Sequence, residues 1–127
     1  MKLVECVPNF SEGRRKEVVD EIVRAIKFND NVKILNVEMD PDHNRSVITF
    51  VSDPQNALEA AFRGIKKASE LIDMEKHKGE HPRFGAADVV PFVPLYDTTM
   101  DECIDLANKL GERVGRELKI PVYLYDK

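Results

Sequence analysis

The spacing of apolar residues changes repeatedly along this chain, and this switching most constrains its fold. Short apolar or alternating runs, typical of β-strands, are KLVECV, VKILNVEMD, SVITFV, VVPFVPL and PVYLY. Three longer stretches between them place apolar residues on one helical face. The order βαββαβ followed by αβ predicts an α+β fold: a ferredoxin-like core with an additional C-terminal αβ unit, its helices packed on a mostly antiparallel mixed sheet.

Local signals place the ends of the helices. The first helix is predicted over residues 14–28, where the apolar spacing is helical. The second begins at the Asp-Pro pair 53–54, because aspartate is a good N-cap and proline suits the first helical position, and it ends near Met74. Thr99 and Glu102 form a predicted capping box for the third. The prolines of VVPFVPL remove amide donors, so this strand is expected at an edge or to be irregular.

Length, charge and cysteine usage limit the class of protein. At 127 residues the chain is expected to form a single domain, residues 1–127, around one core. A net charge of −4 gives no general attraction to nucleic acid or to anionic membranes. The N-terminus is too polar for a signal peptide, and no segment approaches the roughly 18 apolar residues of a membrane span. Cys6 and Cys103 lie in apolar patterns without ligand spacing, which predicts buried free thiols in a cytoplasmic protein.

The predicted topology brings three polar loops to one edge of the sheet. If successive elements alternate in direction, the loops after the first strand, the second strand and the second helix all lie at the same edge of the sheet. These loops are VPNFSEG, DPDHNR and HKGEHPRFGAAD. They are the most polar and turn-rich stretches of the chain. Their convergence predicts a functional site at this edge.

The loop HKGEHPRFGAAD, residues 77–88, admits a metal site, a proton-transfer site or a solvated charged loop. His77 and His81 have a spacing that zinc-binding helices use. However, Gly79 lowers helicity between them, and Pro82 disfavours the α conformation at the residue before it. No cysteine lies nearby, so metal binding is the least favoured interpretation and no metal is predicted.

The other two interpretations of this loop remain open on composition alone. Lys76 and His77 need no function beyond a favourable position near a helix C-terminus. His81 differs, because the following proline restricts its backbone and because imidazole, with an ordinary pKa of about 6.5, both accepts and donates protons near neutrality. It is therefore the candidate for proton transfer.

Other polar side chains of the three loops are candidate substrate contacts. Arginine can bind a carboxylate through two donors, whereas lysine acts as a point charge. Each candidate has an ordinary alternative: solvated turn residues for the charged groups, and capping of its own backbone for asparagine. The candidates are Arg45, Arg83 and Lys78 for carboxylates, Asn9 and Asn44 for amides, and Glu38 and Asp40 for a cationic group or a histidine.

Several phrases together resemble the N-terminal subdomain of the glutamate formimidoyltransferase family. They are LVECVPNFSEG, DHNRSVITFV, ELIDMEKHKGEHPRFGAADVVPFVPL, TMDECIDLA and IPVYLY. They cover nearly the whole chain, in order and with ordinary spacing. The long phrase around HKGEHPRFGAADVVPF is far more specific than a short motif.

The resemblance implies a folate-dependent transferase of histidine degradation. Such an enzyme moves a formimidoyl group from N-formimidoyl-L-glutamate to N5 of tetrahydrofolate, its co-substrate. The family's catalytic histidine falls on His81, as general acid and base, with no metal and no covalent nucleophile. Further residues in family-like phrases are expected around the site: Glu38, Asn44, Arg45, His77 and Arg83.

The resemblance also implies partners. The family's transferase unit has a second subdomain that encloses the folate together with this one, and fused members add a cyclodeaminase module. A second-subdomain partner chain and a homo-oligomer are therefore expected, the latter because large bare apolar faces seldom persist on monomers. The alternative is a non-catalytic module that binds folate or assembles subunits and has no activity without the second subdomain.

Overall fold

The structure, a computed structural model, describes residues 1–72 and 87–120. The fold class is α+β with a mostly antiparallel sheet, as predicted, whereas the predicted final strand PVYLY lies outside the described residues. The strands are β1 (Leu3–Cys6), β2 (Asn9–Phe10), β3 (Lys33–Asp40), β4 (Arg45–Ser52), β5 (Ala87–Val89) and β6 (Phe92–Tyr96). The helices are α1 (Lys16–Ile26), α2 (Pro54–Leu71) and α3 (Met100–Arg113), the last continued by a π-helical turn, Val114–Leu118.

Strand β4 lies at the centre of the sheet, and every pairing among the described strands is antiparallel. Strand β3 pairs with one edge of β4, and β1 and β2 both pair with the other edge. Beyond them, β6 pairs with β1 and β5 pairs with β2. The six strands thus form four rows, with β3 and the β5–β6 row at the two edges.

The predicted first strand KLVECV is present as β1, and the predicted loop after it contains a further short strand, β2, separated from β1 by Val7 and Pro8. Pro8 has no amide hydrogen, so it cannot donate within the ladder. Hydrogen bonds nevertheless cross the interruption, from the Val7 amide to the Pro91 carbonyl (3.1 Å) and from the Ile48 amide to the Pro8 carbonyl (3.1 Å). The predicted strand VVPFVPL divides into β5 and β6, and lies at an edge, as its prolines predicted.

The predicted caps of α2 and α3 are confirmed. The Asp53 carboxylate accepts a hydrogen bond from the Asn56 amide at 3.2 Å, with proline at the first helical position. The Thr99 hydroxyl accepts from the Glu102 amide at 3.1 Å, while the Glu102 carboxylate accepts from the Thr99 amide at 2.8 Å. Helix α1 differs, because its N-cap residue is Arg15, whose side chain makes no capping hydrogen bond.

All three helices contribute to one core with the helix-facing side of the sheet. Fully burying one valine, leucine, isoleucine or phenylalanine side chain stabilises a fold by roughly 1.5–3 kcal/mol. The two cysteines are free and buried, as predicted, and burial raises the pKa of the Cys6 thiol well above its ordinary value. The core includes Val4, Cys6, Phe10, Ile48 and Phe50 of the sheet, Val18, Ile22 and Ile26 of α1, Ala57, Ala61, Phe62 and Ile65 of α2, and Cys103, Leu106 and Leu110 of α3.

The opposite side of the sheet, here called the open face, is not covered by the described helices. Strand side chains alternate between the two sides, so the residues between the core positions lie on the open face. In β4 these are half-buried side chains, Val47, Thr49 and Val51, and in β6 Val93 and Leu95 are exposed. Glu5 of β1 is paired with both Val51 and Val93 and lies between them, so the apolar side chains of the open face are interrupted by a carboxylate.

Candidate functional site

Residues 11–15, here called loop one, are bound to residues 41–44, the hairpin turn between β3 and β4. The Gly13 amide donates to the Asn44 side-chain oxygen at 2.9 Å, and the Arg14 Nε donates to the Pro41 carbonyl at 2.7 Å. The predicted convergence of the first two polar loops is thereby confirmed. Asn44 uses its side chain to bind loop one rather than to cap its own turn.

The approach of loop one to the hairpin turn leaves no room for a side chain at Gly13. A Cβ atom there would lie 2.2 Å from the Arg45 carbonyl oxygen and 2.6 Å from the Asp40 carbonyl oxygen. Such contacts are far inside van der Waals range and involve backbone atoms that cannot rotate away. Glycine is therefore required at this position for the two segments to meet.

Three of the predicted substrate contacts lie on the open face at this end of the sheet. Asn9 and Glu38 pair with Val47 from the two edges of β4, so all three share one face. Two strand spacings of about 4.8 Å separate the Asn9 and Glu38 backbones by about 10 Å. Arg45, exposed and two residues before Val47, lies on the same face.

These side chains offer an amide, a carboxylate and a guanidinium group to one region of the sheet. The Asn9 Nδ2 donates to the Val7 carbonyl at 3.1 Å, which orients the amide. The Glu38 carboxylate accepts a hydrogen bond from Asn36 Nδ2 at 3.2 Å. A guanidinium binds carboxylates well, and a carboxylate binds cationic nitrogen, so the set suits a ligand carrying both kinds of group.

The other predicted site residues lie outside the described residues: His77, Lys78, His81 and Arg83. Described residues on either side of residues 73–86 contact loop one or β2. Phe10 of β2 pairs with Ala87 of β5, and the Arg15 Nη2 lies 3.5 Å from the Leu71 carbonyl at the end of α2. The positions before and after residues 73–86 are therefore both close to the segment Phe10–Arg15.

Glu12 is a participant in this region that sequence reasoning did not identify. Its carboxylate accepts hydrogen bonds from the amides of Arg14 (3.1 Å) and Arg15 (2.9 Å) and from the Arg15 Nε (2.9 Å). Burial raises the pKa of Glu12, but the hydrogen bonds from Arg15 and Arg14 outweigh it, so the pKa is lowered overall. The absence of a capping side chain at the start of α1 is the signal that could have indicated it.

Asp40 and His43 form a local pair within the hairpin turn. The His43 Nδ1 lies 2.7 Å from the Asp40 carboxylate, which also accepts hydrogen bonds from the amides of Asp42 and His43. The hydrogen bond with His43 lowers the pKa of the Asp40 carboxyl. Both side chains are largely exposed, so this pair shapes the turn rather than a buried site.

Other ligand sites were sought in the described part of the chain. A groove of about 620 Å³ lies between α1 and α2, on the helical layer, and includes none of the predicted site residues. In residues 1–72 and 87–120, no group of three or more His, Cys, Asp or Glu side chains could hold a metal ion. The prediction that no metal is used stays a prediction.

None of the described helices is both long and apolar enough to cross a membrane.

Comparison with known proteins identifies close relatives. Residues 3–127 match the family model described as "Formiminotransferase domain, N-terminal subdomain". The chain is 68% identical over 125 residues to a glutamate formimidoyltransferase of Thermoplasma acidophilum, covering 98% of this chain and 41% of that protein. It is 52% identical over 125 residues to one of Streptococcus pyogenes serotype M1, covering 98% and 42%, and 52% identical over 126 residues to a formimidoyltransferase-cyclodeaminase of Mus musculus, covering 99% and 23%. The chain therefore spans less than half the length of these relatives.

Proposed function

The chain belongs to the family of formiminotransferase N-terminal subdomains, and on that premise we propose that it provides the acid–base half of a glutamate formimidoyltransferase. The reaction moves the formimidoyl group of N-formimidoyl-L-glutamate to N5 of tetrahydrofolate, in histidine degradation, and releases glutamate. The observation that carries this proposal is a match that runs through residues 3–127 and so includes the complete stretch 77–88. A cytoplasmic location, a ferredoxin-like core and a final αβ unit belong to the same proposal.

His81 is the proposed general acid and base. N5 of tetrahydrofolate attacks the imidoyl carbon, forming an N–C bond, and its proton passes to the imidazole. The tetrahedral intermediate then collapses as the bond from carbon to the glutamate nitrogen breaks, and the imidazolium returns the proton to that nitrogen. Acid–base catalysis of this kind contributes about 10²–10⁴-fold, and alignment of two bound substrates contributes much of the remainder.

The residues on the open face are the proposed substrate contacts. Both substrates carry carboxylates, which suit Arg45, and the formimidoyl group is a cationic amidine when protonated, which suits the Glu38 carboxylate. Asn9 and Asn44 offer amides at the same end of the sheet, on β2 and in the hairpin turn. His77, Lys78 and Arg83 are proposed as further contacts from the sequence alone.

A second subdomain is the proposed partner of the open face. The chain covers 41% of its Thermoplasma relative, so most of that protein has no counterpart here. The apolar side chains Val47, Val51 and Val93 of this face are not covered by the described helices, and Glu5 lies between Val51 and Val93. A partly apolar face of this kind suits an interface. Without the second subdomain, self-association into a homo-oligomer is expected on the same ground, and light scattering that finds a clean monomer would contradict it.

The proposed activity is tested by replacing His81 and, as a control, a residue outside the predicted loops. Formimidoyl transfer to tetrahydrofolate is assayed with the chain alone and with a second-subdomain chain of a relative. His81→Ala should lower kcat by about 10²-fold or more, because the proton shuttle is lost. Asn108→Gln, a change at an exposed position of α3 outside the predicted loops, is the control and should leave kcat within about 3-fold. Full activity of the His81→Ala variant would exclude the assigned role.

A non-catalytic module that binds folate or a partner subunit is the second candidate function. Residues 3–127 correspond to one subdomain of the transferase unit, and a single subdomain is able to bind a ligand or a subunit without turnover. Calorimetric titration of the chain with tetrahydrofolate separates the two functions. Binding without turnover, even after the second-subdomain chain is added, favours the module, whereas turnover on that addition favours the enzyme.

A further inference from the structure

Glu12 stands out because it is the one charged residue that is fully buried in the described part of the chain. Burying a carboxylate is unfavourable unless hydrogen bonds and a counter-charge compensate. Here two backbone amides and the Arg15 guanidinium do so, the Nη2 of Arg15 lying 2.8 Å from the Oε1 of Glu12. A serine or aspartate at the N-cap would cap α1 more simply. The buried carboxylate therefore calls for a role beyond capping.

One consequence of these hydrogen bonds is the conformation of loop one. By accepting from the amides of Arg14 and Arg15, Glu12 folds residues 12–15 into a tight turn. In this turn the Gly13 amide is directed at the Asn44 side chain and the Arg14 Nε at the Pro41 carbonyl. The carboxylate thus sets how loop one meets the hairpin turn and, with it, the backbone of Arg45.

The second consequence concerns the positions that flank His81. Arg15, held by Glu12, also reaches the Leu71 carbonyl at the end of α2 with the same Nη2. Phe10, directly before loop one, pairs with Ala87. The segment Phe10–Arg15 therefore contacts the hairpin turn on one side and the described positions before and after residues 73–86 on the other.

We infer that Glu12 and Arg15 are positioning residues for the transfer reaction. They hold the Asn44–Arg45 turn at a set separation from Leu71 and Ala87, the described positions on either side of the stretch that contains His81. This inference rests on the proposed function. Neither residue needs to touch a substrate, because the pair acts through the backbone of loop one. An enzyme that aligns two substrates is sensitive to such spacing, since a displacement of about 1 Å can lower the rate by about 10²-fold.

The experiment compares two arginines that make the same kind of pair. Arg15→Met removes the contacts with Glu12 and Leu71, and Arg24→Met removes a pair with Glu21 at the same sequence spacing on α1. Arg15→Lys keeps the charge but cannot reproduce the two-sided contact. The transferase activity is measured with the second-subdomain chain present, as kcat and KM separately, and the ring proton signals of His81 are followed by NMR in the chain itself.

We expect Arg15→Met to lower kcat by about 10–100-fold while KM stays within about 3-fold, Arg15→Lys to be intermediate, and Arg24→Met to match the wild type. The His81 ring signals should shift in Arg15→Met, shift less in Arg15→Lys and stay in place in Arg24→Met. A purely structural role predicts lower stability with unchanged kcat per folded molecule and unmoved ring signals, and that result overturns the inference, as does an equal loss in Arg24→Met. If the wild type shows no transfer at all, the proposed function fails, and the ring signals alone decide on the positioning.

Discussion

Two glutamate–arginine pairs of this protein have the same sequence spacing and opposite surroundings. In Glu21–Arg24, on α1, both side chains are exposed, by 46% and 69%. In Glu12–Arg15 the carboxylate is 4% exposed and also accepts two backbone amides. An exposed pair is screened by water and contributes little, whereas a buried carboxylate that loses its donors leaves an uncompensated polar group. Spacing alone therefore says little about what a pair contributes.

The largest effect is expected from disturbing the close approach between loop one, which contains Glu12, and the hairpin turn. Gly13→Ala should destabilise the protein by about 3 kcal/mol, because the new methyl group would overlap the backbone of Arg45 and Asp40. The measurement is the free energy of unfolding in urea. Gly115→Ala is the matched control, since its Cβ would meet its nearest atom only at 3.9 Å. Equal stability of the two variants would refute the close approach.

Glu12→Gln addresses the buried pair itself. The amide keeps the size of the side chain but loses the charge, and its NH₂ group cannot accept from the Arg15 donors, so we expect a loss of about 2 kcal/mol in the free energy of unfolding. Glu21→Gln makes the same change in the exposed pair and should cost at most about 0.5 kcal/mol. Equal losses in Glu12→Gln and Glu21→Gln would show that burial makes no difference to what the two pairs contribute.

The pH dependence of the Glu12→Gln effect sharpens the comparison further. Because the pKa of Glu12 is lowered in the folded state, its ionised form stabilises the fold fully above the ordinary glutamate pKa of about 4.3. This contribution is lost as the pH falls through the lowered pKa. The stability difference between wild type and Glu12→Gln should therefore shrink when urea unfolding is followed from about pH 7 to pH 3. A difference that stays constant would contradict the ionised, hydrogen-bonded carboxylate.

A third pair at this spacing, Thr99 with Glu102, should give a smaller loss than Gly13→Ala or Glu12→Gln. It is the capping box of α3, and both side chains are exposed. Thr99→Ala removes one acceptor for the helix amides and should cost about 1 kcal/mol in thermal or urea unfolding. Asn108→Ala, at an exposed position within α3, is a control that leaves the cap in place. If Thr99→Ala lowers the free energy of unfolding by less than Glu21→Gln does, the capping box contributes no more than an exposed ion pair.

Much of the fold was predictable because its signals are local. The stripe of α1, the Asp53 cap and the Thr99 box each depend on a few neighbouring residues, and each is present as predicted. The convergence of loop one with the hairpin turn followed from the alternation of strands and helices. The short strand β2 within the predicted loop VPNFSEG was not predicted, because its two residues are too few to show a strand pattern and pair with segments distant in sequence.

The candidate site was likewise predictable only in part. The sequence by itself determined the alternation of the three helices with strand regions, the family, and the candidate residues Asn9, Glu38, Asn44 and Arg45, because these follow from residue types and short-range spacing. Only the tertiary structure decided that Asn9 and Glu38 share the open face, that Gly13 has no room for a side chain, and that Glu12 is buried while Glu21 is not. The physical reason is that burial and register are set by segments distant in sequence, and no local pattern records which segments will meet.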